Sequence, residues 1–137
     1  MTLWLSYGAG VNSTALAILL AQGRVPDVAR DDWQPIFADT GDEKPETYEY
    51  LTRWAKPWFR EIGRPLITVA ATETVLQRWQ RLKITGSRRI RSCTRESKLK
   101  PINAYIESAG GGTQIVGIDA GEAHRASDPT RLYPLVA

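Results

Sequence analysis

Short apolar runs and longer helix-period stretches alternate along this chain. Thr2 to Ser6 is apolar and rich in strand formers, which predicts a buried strand. Tyr7 to Asn12 follows as a loop containing Gly8 and Gly10. Ser13-Thr14 then opens a predicted helix through Ala21, stopped by Gly23 and Pro26. Pro35 to Ala38 predicts a second strand, and Asp39 to Pro45 a polar loop. Pro45 suits the first turn of a helix that carries Tyr48, Leu51, Ala55, Phe59 and Ile62 on one face, with Pro57 expected to kink or split it. Leu66 to Ala70 reads as a third strand. Thr72 to Leu82 reads as a helix, and so does Thr94 to Ser108, with Pro101 as an expected interruption. A Gly110-Gly111-Gly112 turn leads to a fourth strand, Gln114 to Ile118.

Strands that alternate with helices predict an α/β fold: a Rossmann-like open, mainly parallel sheet with helices on both faces. The 137 residues fit one domain, 1–137, with no repeats or linkers. The end of the chain, Arg131 to Ala137, is apolar without a closing element, so the reading expects a chain cut short or docked on a partner.

Composition adds three points. At 42% hydrophobic and 24% charged, the chain is that of a folded globular protein. No apolar run reaches membrane-spanning length, no signal peptide is evident, and the one cysteine, Cys93, excludes an internal disulfide. A cytoplasmic location without membrane contact is therefore expected. The net charge of +3 hides an asymmetry: nine of the 18 cations lie between Arg78 and Lys100, against one acid, Glu96. Such a block is either a solvated basic face or a surface for phosphate, nucleic acid included.

The loop from Ser6 to Thr14 sits where open α/β sheets bind ligands, beyond the carboxyl end of a strand. Its small residues admit an anion to the backbone, and the helix start adds N–H groups and a positive dipole end. Ser13 and Thr14 offer hydroxyls. The loop lacks the Gly-Lys-Ser/Thr ending of a Walker A motif and is not G-x-G-x-x-G. A tight turn capped by Asn12 explains the same residues.

Four segments together resemble the PP-loop superfamily of adenine nucleotide alpha-hydrolase-like proteins, in its phosphoadenosine phosphosulfate (PAPS) reductase-like branch. They are Gly8-Ala9-Gly10-Val11-Asn12-Ser13; Phe37-Ala38-Asp39-Thr40-Gly41 with Pro45-Glu46-Thr47; Arg91-Ser92-Cys93-Thr94 with Lys98 and Pro101; and Gly117 to Arg125. The resemblance spans nearly the whole chain. It implies a single adenine-nucleotide-binding domain that takes ATP or PAPS, with Mg²⁺ as a companion ion. It assigns nucleotide contacts to Ser6, Gly8, Gly10, Asn12, Ser13, Thr14, Asp39, Thr40, Gly41, Arg91, Lys98 and Gly117, and catalytic roles to Asp39, Lys98 and Arg125. Two positions depart from the pattern. Asn12 replaces an aspartate, removing a charge that would help hold Mg²⁺, and Gly8 replaces a serine. Reductases of this branch use a cysteine in a C-terminal tail, and Cys93 is the only cysteine here. Cys93 amid cations is either an activated thiol or a small buried one. His124, between Glu122 and Arg125, is either an acid/base group or a surface residue.

Three functions follow: cleavage of ATP at the α-phosphate with adenylation, sulfonucleotide handling, or a non-catalytic nucleotide- or nucleic-acid-binding subunit of a modification system. A homodimer or a partner chain would complete the second or third.

Overall fold

The computed structural model of the chain describes residues 2–26, 28–29, 32–41, 43–71, 77, 80–81, 98–118, 126, 128 and 130–135. Four strands form one parallel sheet: β1 (Leu3–Ser6), β2 (Trp33–Asp39), β3 (Ile67–Ala70) and β4 (Thr113–Val116). Their spatial order is β3-β2-β1-β4. The chain therefore runs outward from β1 to β3 and then returns to the other side of β1. The reversal point lies between β1 and β4, where open sheets of this kind part their loops and admit a ligand.

Alternation along the strands sorts the core onto two faces. Leu5, Trp33, Phe37 and Ile115 point to one face. There they meet Leu16, Ala17 and Leu20 of α1 (Val11–Ala21), and Leu51, Ala55 and Phe59 of a second helical stretch. Trp4, Ile36 and Ala38 point to the other face and meet Ile102 and Ile106 of a later helix, Lys100–Ser108, here called α4. Helices cover both faces, as the sequence predicts. Trp4 shows how a large amphipathic ring is placed: its indole N–H donates to the Gly111 carbonyl at 3.2 Å, and its edge meets Tyr105 at 5.8 Å.

The second helical stretch is one body with a local defect. It runs as α2 (Pro45–Tyr50), a π-helical turn (Leu51–Ala55) and α3 (Lys56–Glu61). Pro57 neither ends nor splits it. A proline has no N–H for the preceding turn and crowds the carbonyl there. The turn just before it widens instead, and the Lys56 N–H donates to the Leu51 carbonyl five residues back. The face expected from the sequence still packs, because Leu51, Ala55 and Phe59 are all buried.

Two helix starts differ from expectation. α1 opens at Val11, with Gly10 as its N-cap and no side-chain cap, so Asn12 lies inside the first turn rather than capping it. The Thr14 N–H closes the turn on the Gly10 carbonyl at 3.1 Å. Pro101 does not interrupt α4. It stands in the first α-helical turn, and the described residues just before it, Lys98 and Leu99, are π-helical, so the chain stays helical through it. In the predicted helix Thr72 to Leu82, the described residues Gln77, Gln80 and Arg81 are helical. The stretch Thr94 to Ser97 lies outside the described residues.

Candidate nucleotide site at the carboxyl edge of the sheet

The strand ends form a step. Ser6, the last residue of β1, pairs with Ile36 on one side and Val116 on the other. β2 continues past that level through Phe37, Ala38 and Asp39, paired with β3. At about 3.3 Å per residue the step is roughly 10 Å high. The end of β2 and the start of α1 thus stand as two walls of a recess over β1. Ser6 itself remains in the sheet as the end of the strand.

One wall is built from backbone. Ala9 takes the positive φ of the turn (60°), a conformation that costs a non-glycine residue energy and reverses the chain sharply. Gly8 and Gly10 face open space: a Cβ added at either would meet nothing within 4 Å. The buried Ser13 hydroxyl accepts from the Gly8 N–H at 3.3 Å and donates to the Gly10 carbonyl at 3.4 Å, which ties the loop to the helix. Gly117, just after β4, presses on the same turn. A Cβ there would lie 2.9 Å from the Ser13 backbone N and 3.0 Å from its Cα. Only a residue without a side chain lets β4 and the start of α1 approach this closely. The first turn of α1 presents N–H groups that lack carbonyl partners within the helix, at the positive end of its dipole.

The Tyr7 hydroxyl lies 3.1 Å from the Thr14 hydroxyl, and its ring meets Phe59 edge-on at 5.0 Å. Burial pushes the Tyr7 phenol up to about 12. Beside it a groove of about 200 Å³ runs between α1 and the second helical stretch, with Tyr50, Trp54 and Trp58 among its lining.

The other wall is built from side chains. Asp39 Oδ1 accepts the Gly41 N–H at 2.8 Å and the Tyr48 hydroxyl at 2.7 Å. The Tyr48 oxygen in turn accepts the Glu43 N–H at 3.3 Å. Burial raises the Tyr48 phenol above its usual value, and its bond to Asp39 raises it further. The buried Thr40 donates its hydroxyl to Glu43 Oε1 at 3.2 Å, and Lys98 Nζ stands 3.6 Å from the same oxygen. Lys98, just ahead of α4, is thereby joined to the loop after β2.

The sequence-assigned residues fall into these two groups. Gly8, Gly10, Asn12, Ser13, Thr14 and Gly117 gather at the start of α1. Asp39, Thr40, Gly41 and Lys98 gather at the end of β2. Arg91, Arg125, Cys93, Glu122 and His124 lie outside the described residues. Sequence reasoning missed Glu43 and Tyr48 as members of the site. The signal for Tyr48 was its place in the first turn of the helix that Pro45 starts, which returns it to the strand end that carries Asp39.

A companion Mg²⁺ finds little to hold it. Among the described residues no three His, Cys, Asp or Glu side chains gather, Asn12 brings a neutral amide, and Glu43 is paired with Lys98.

The sequence profile of the family described as "Phosphoadenosine phosphosulfate reductase domain" matches residues 2–131. No curated protein sequence matches the chain. Among solved structures, a phosphoadenylyl-sulfate (PAPS) reductase from Candida auris, in a phosphate complex, superposes with a TM-score of 0.66 at 13% identity. The superposition covers 99% of this chain and 66% of that one, so the chain spans just under two thirds of that protein's length. At this identity the likeness is one of fold.

Proposed function

The chain belongs to the phosphoadenosine phosphosulfate reductase domain family, and from that premise we propose that it binds an adenine sulfonucleotide such as PAPS in the recess over β1. The observation that carries this reading is the open start of α1, where a Cβ at Gly8 or Gly10 would meet nothing within 4 Å; helix starts of this kind offer N–H groups to an anion. That wall suits an anion. The opposite wall, with Asp39 and Glu43, repels one. The ligand therefore lies with its phosphate or sulfate end at the α1 loop and its nucleoside half toward Asp39, whose carboxylate accepts a hydroxyl or amino proton.

In this reading Ser13 and Thr14 contact the anionic groups, while Thr40 and Gly41 shape the rim. Lys98 supplies mobile positive charge, and Arg91 and Arg125 add planar, forked donors. Chemistry at such a site is mainly electrostatic: fixed donors stabilise negative charge as it develops on a departing anion. The described residues do not form an Mg²⁺ set. Asn12 in place of an acid favours sulfonucleotide over metal-assisted ATP cleavage. Adenylation with ATP and a nucleic-acid role for the Arg78–Lys100 segment are the rival readings.

Melting the chain with PAPS, AMP or ATP, each with and without Mg²⁺, separates these readings. At a hundred times its Kd, PAPS adds about 2.7 kcal/mol of stability, several degrees in a domain of this size. A shift with PAPS that is indifferent to Mg²⁺ is the expected result. A shift with ATP that needs Mg²⁺ contradicts it.

A further inference from the structure

We propose that Tyr48 is the positioning residue that fixes the Asp39 carboxylate for the nucleoside half of the ligand, an inference that rests on the nucleotide-binding reading above. An aspartate at a strand end commonly closes a local turn by accepting an N–H two residues on, and the Gly41 N–H does this here at 2.8 Å. A turn needs nothing more. The second donor, the Tyr48 hydroxyl at 2.7 Å, comes from a different element and lands on the same oxygen. Both bonds fall on Oδ1, so the carboxylate plane is set by two directions, and no other described residue bonds Oδ2.

The direction of the Tyr48 proton is also determined. Its oxygen accepts the Glu43 N–H at 3.3 Å, so its own hydrogen goes to Asp39. Glu43 is held in turn by the Thr40 hydroxyl and Lys98. One phenol thus orients Asp39 and anchors the loop that carries Glu43. Tyr48 touches no ligand in this account. It acts through Asp39, and its effect must be confined to the part of the ligand that Asp39 reads.

The test compares two probes on the full chain by calorimetry: PAPS, which spans both walls, and inorganic pyrophosphate, which needs only the α1 loop. Tyr48→Phe keeps the ring and removes the hydroxyl. It is expected to weaken PAPS about five- to tenfold and to leave pyrophosphate within twofold, a loss in keeping with one hydrogen bond of ordinary net strength. In an Asp39→Ala chain, adding Tyr48→Phe is expected to change PAPS affinity by less than twofold. Equal losses for both probes, accompanied by a lower Tm, mean a merely structural tyrosine and overturn the proposal. Unchanged PAPS binding, or a full second loss in the Asp39→Ala chain, also overturns it. If the unmodified chain binds pyrophosphate but not PAPS, the nucleotide-binding reading itself falls and takes the proposal with it.

Discussion

In the proposed reading the two walls of the recess recognise the ligand by different means. At the start of α1 the groups on offer would be backbone N–H donors, and the sequence contributes mainly by leaving room: Gly8 and Gly10 toward open space, Gly117 toward the first turn of α1. At the end of β2 the working groups are side chains that hold one another, Asp39 with Tyr48 and Glu43 with Thr40 and Lys98. A backbone wall fails when atoms are added to it. A side-chain wall fails when atoms are removed.

The sharpest way to break the first wall is Gly117→Ala. Its methyl would stand about 3 Å from backbone atoms of Ser13, which have no rotamer to escape into. Overpacking of this kind costs about 1–3 kcal/mol, a fall of roughly 4–12 °C in Tm for a chain of this size. PAPS binding should fall with it. A Tm within a degree of the parent would show that β4 and α1 adjust freely.

Gly8→Val separates room for the fold from room for the ligand. The new side chain meets no protein atom at its Cβ, so Tm should hold within about 2 °C, while PAPS affinity drops at least tenfold, about 1.4 kcal/mol. Retained affinity would place the anion elsewhere.

The second wall gives a smaller effect of opposite sign. Glu43→Gln removes an acid that competes for Lys98. Partly exposed pairs are worth about 0.2–1 kcal/mol, so PAPS should bind roughly two- to fivefold tighter at low salt, with the gain fading as salt screens it. Weaker binding would mean that Glu43 serves to place Lys98 rather than to compete for it.

The effect felt only at high pH is one of ionisation. The folded Tyr7 phenol titrates near 12, above its unfolded value of 10.0, because burial disfavours the phenolate. A raised folded value gives stability that is complete below pH 10 and lost as pH climbs from 10 through 12. Tyr7→Phe should flatten the alkaline fall in Tm without abolishing it, since the Tyr48 phenol is raised as well. An unchanged slope would show that Tyr7 ionises without cost.

This contrast also explains what the sequence could reveal. The glycine loop, Ser13 and Thr14 lie together in the chain, so composition and order mark the strand-to-helix turn, while its reading as an anion cradle rests on the resemblance of four segments taken together. Strand and helix order is equally legible, since apolar period reports which face is buried. Helix starts are less so. Period marks where burial begins, at Ser13, whereas the hydrogen bonds begin at Gly10. Pro57 is legible as a break in the α-helical pattern, but not as the π turn that lets the stretch continue through it. Glu43 stayed hidden because its meaning depends on Lys98, which is distant in sequence and near only after the β2 loop and the start of α4 converge.

The most direct test of the account is titration of PAPS into the unmodified chain by calorimetry, without Mg²⁺, beside the Gly8→Val chain. The account predicts saturable one-site binding by the parent and at least a tenfold loss in the variant at matched Tm. A folded parent that takes up no PAPS, or a variant that binds it equally well, would contradict the claim that the open start of α1 is where this chain holds its nucleotide.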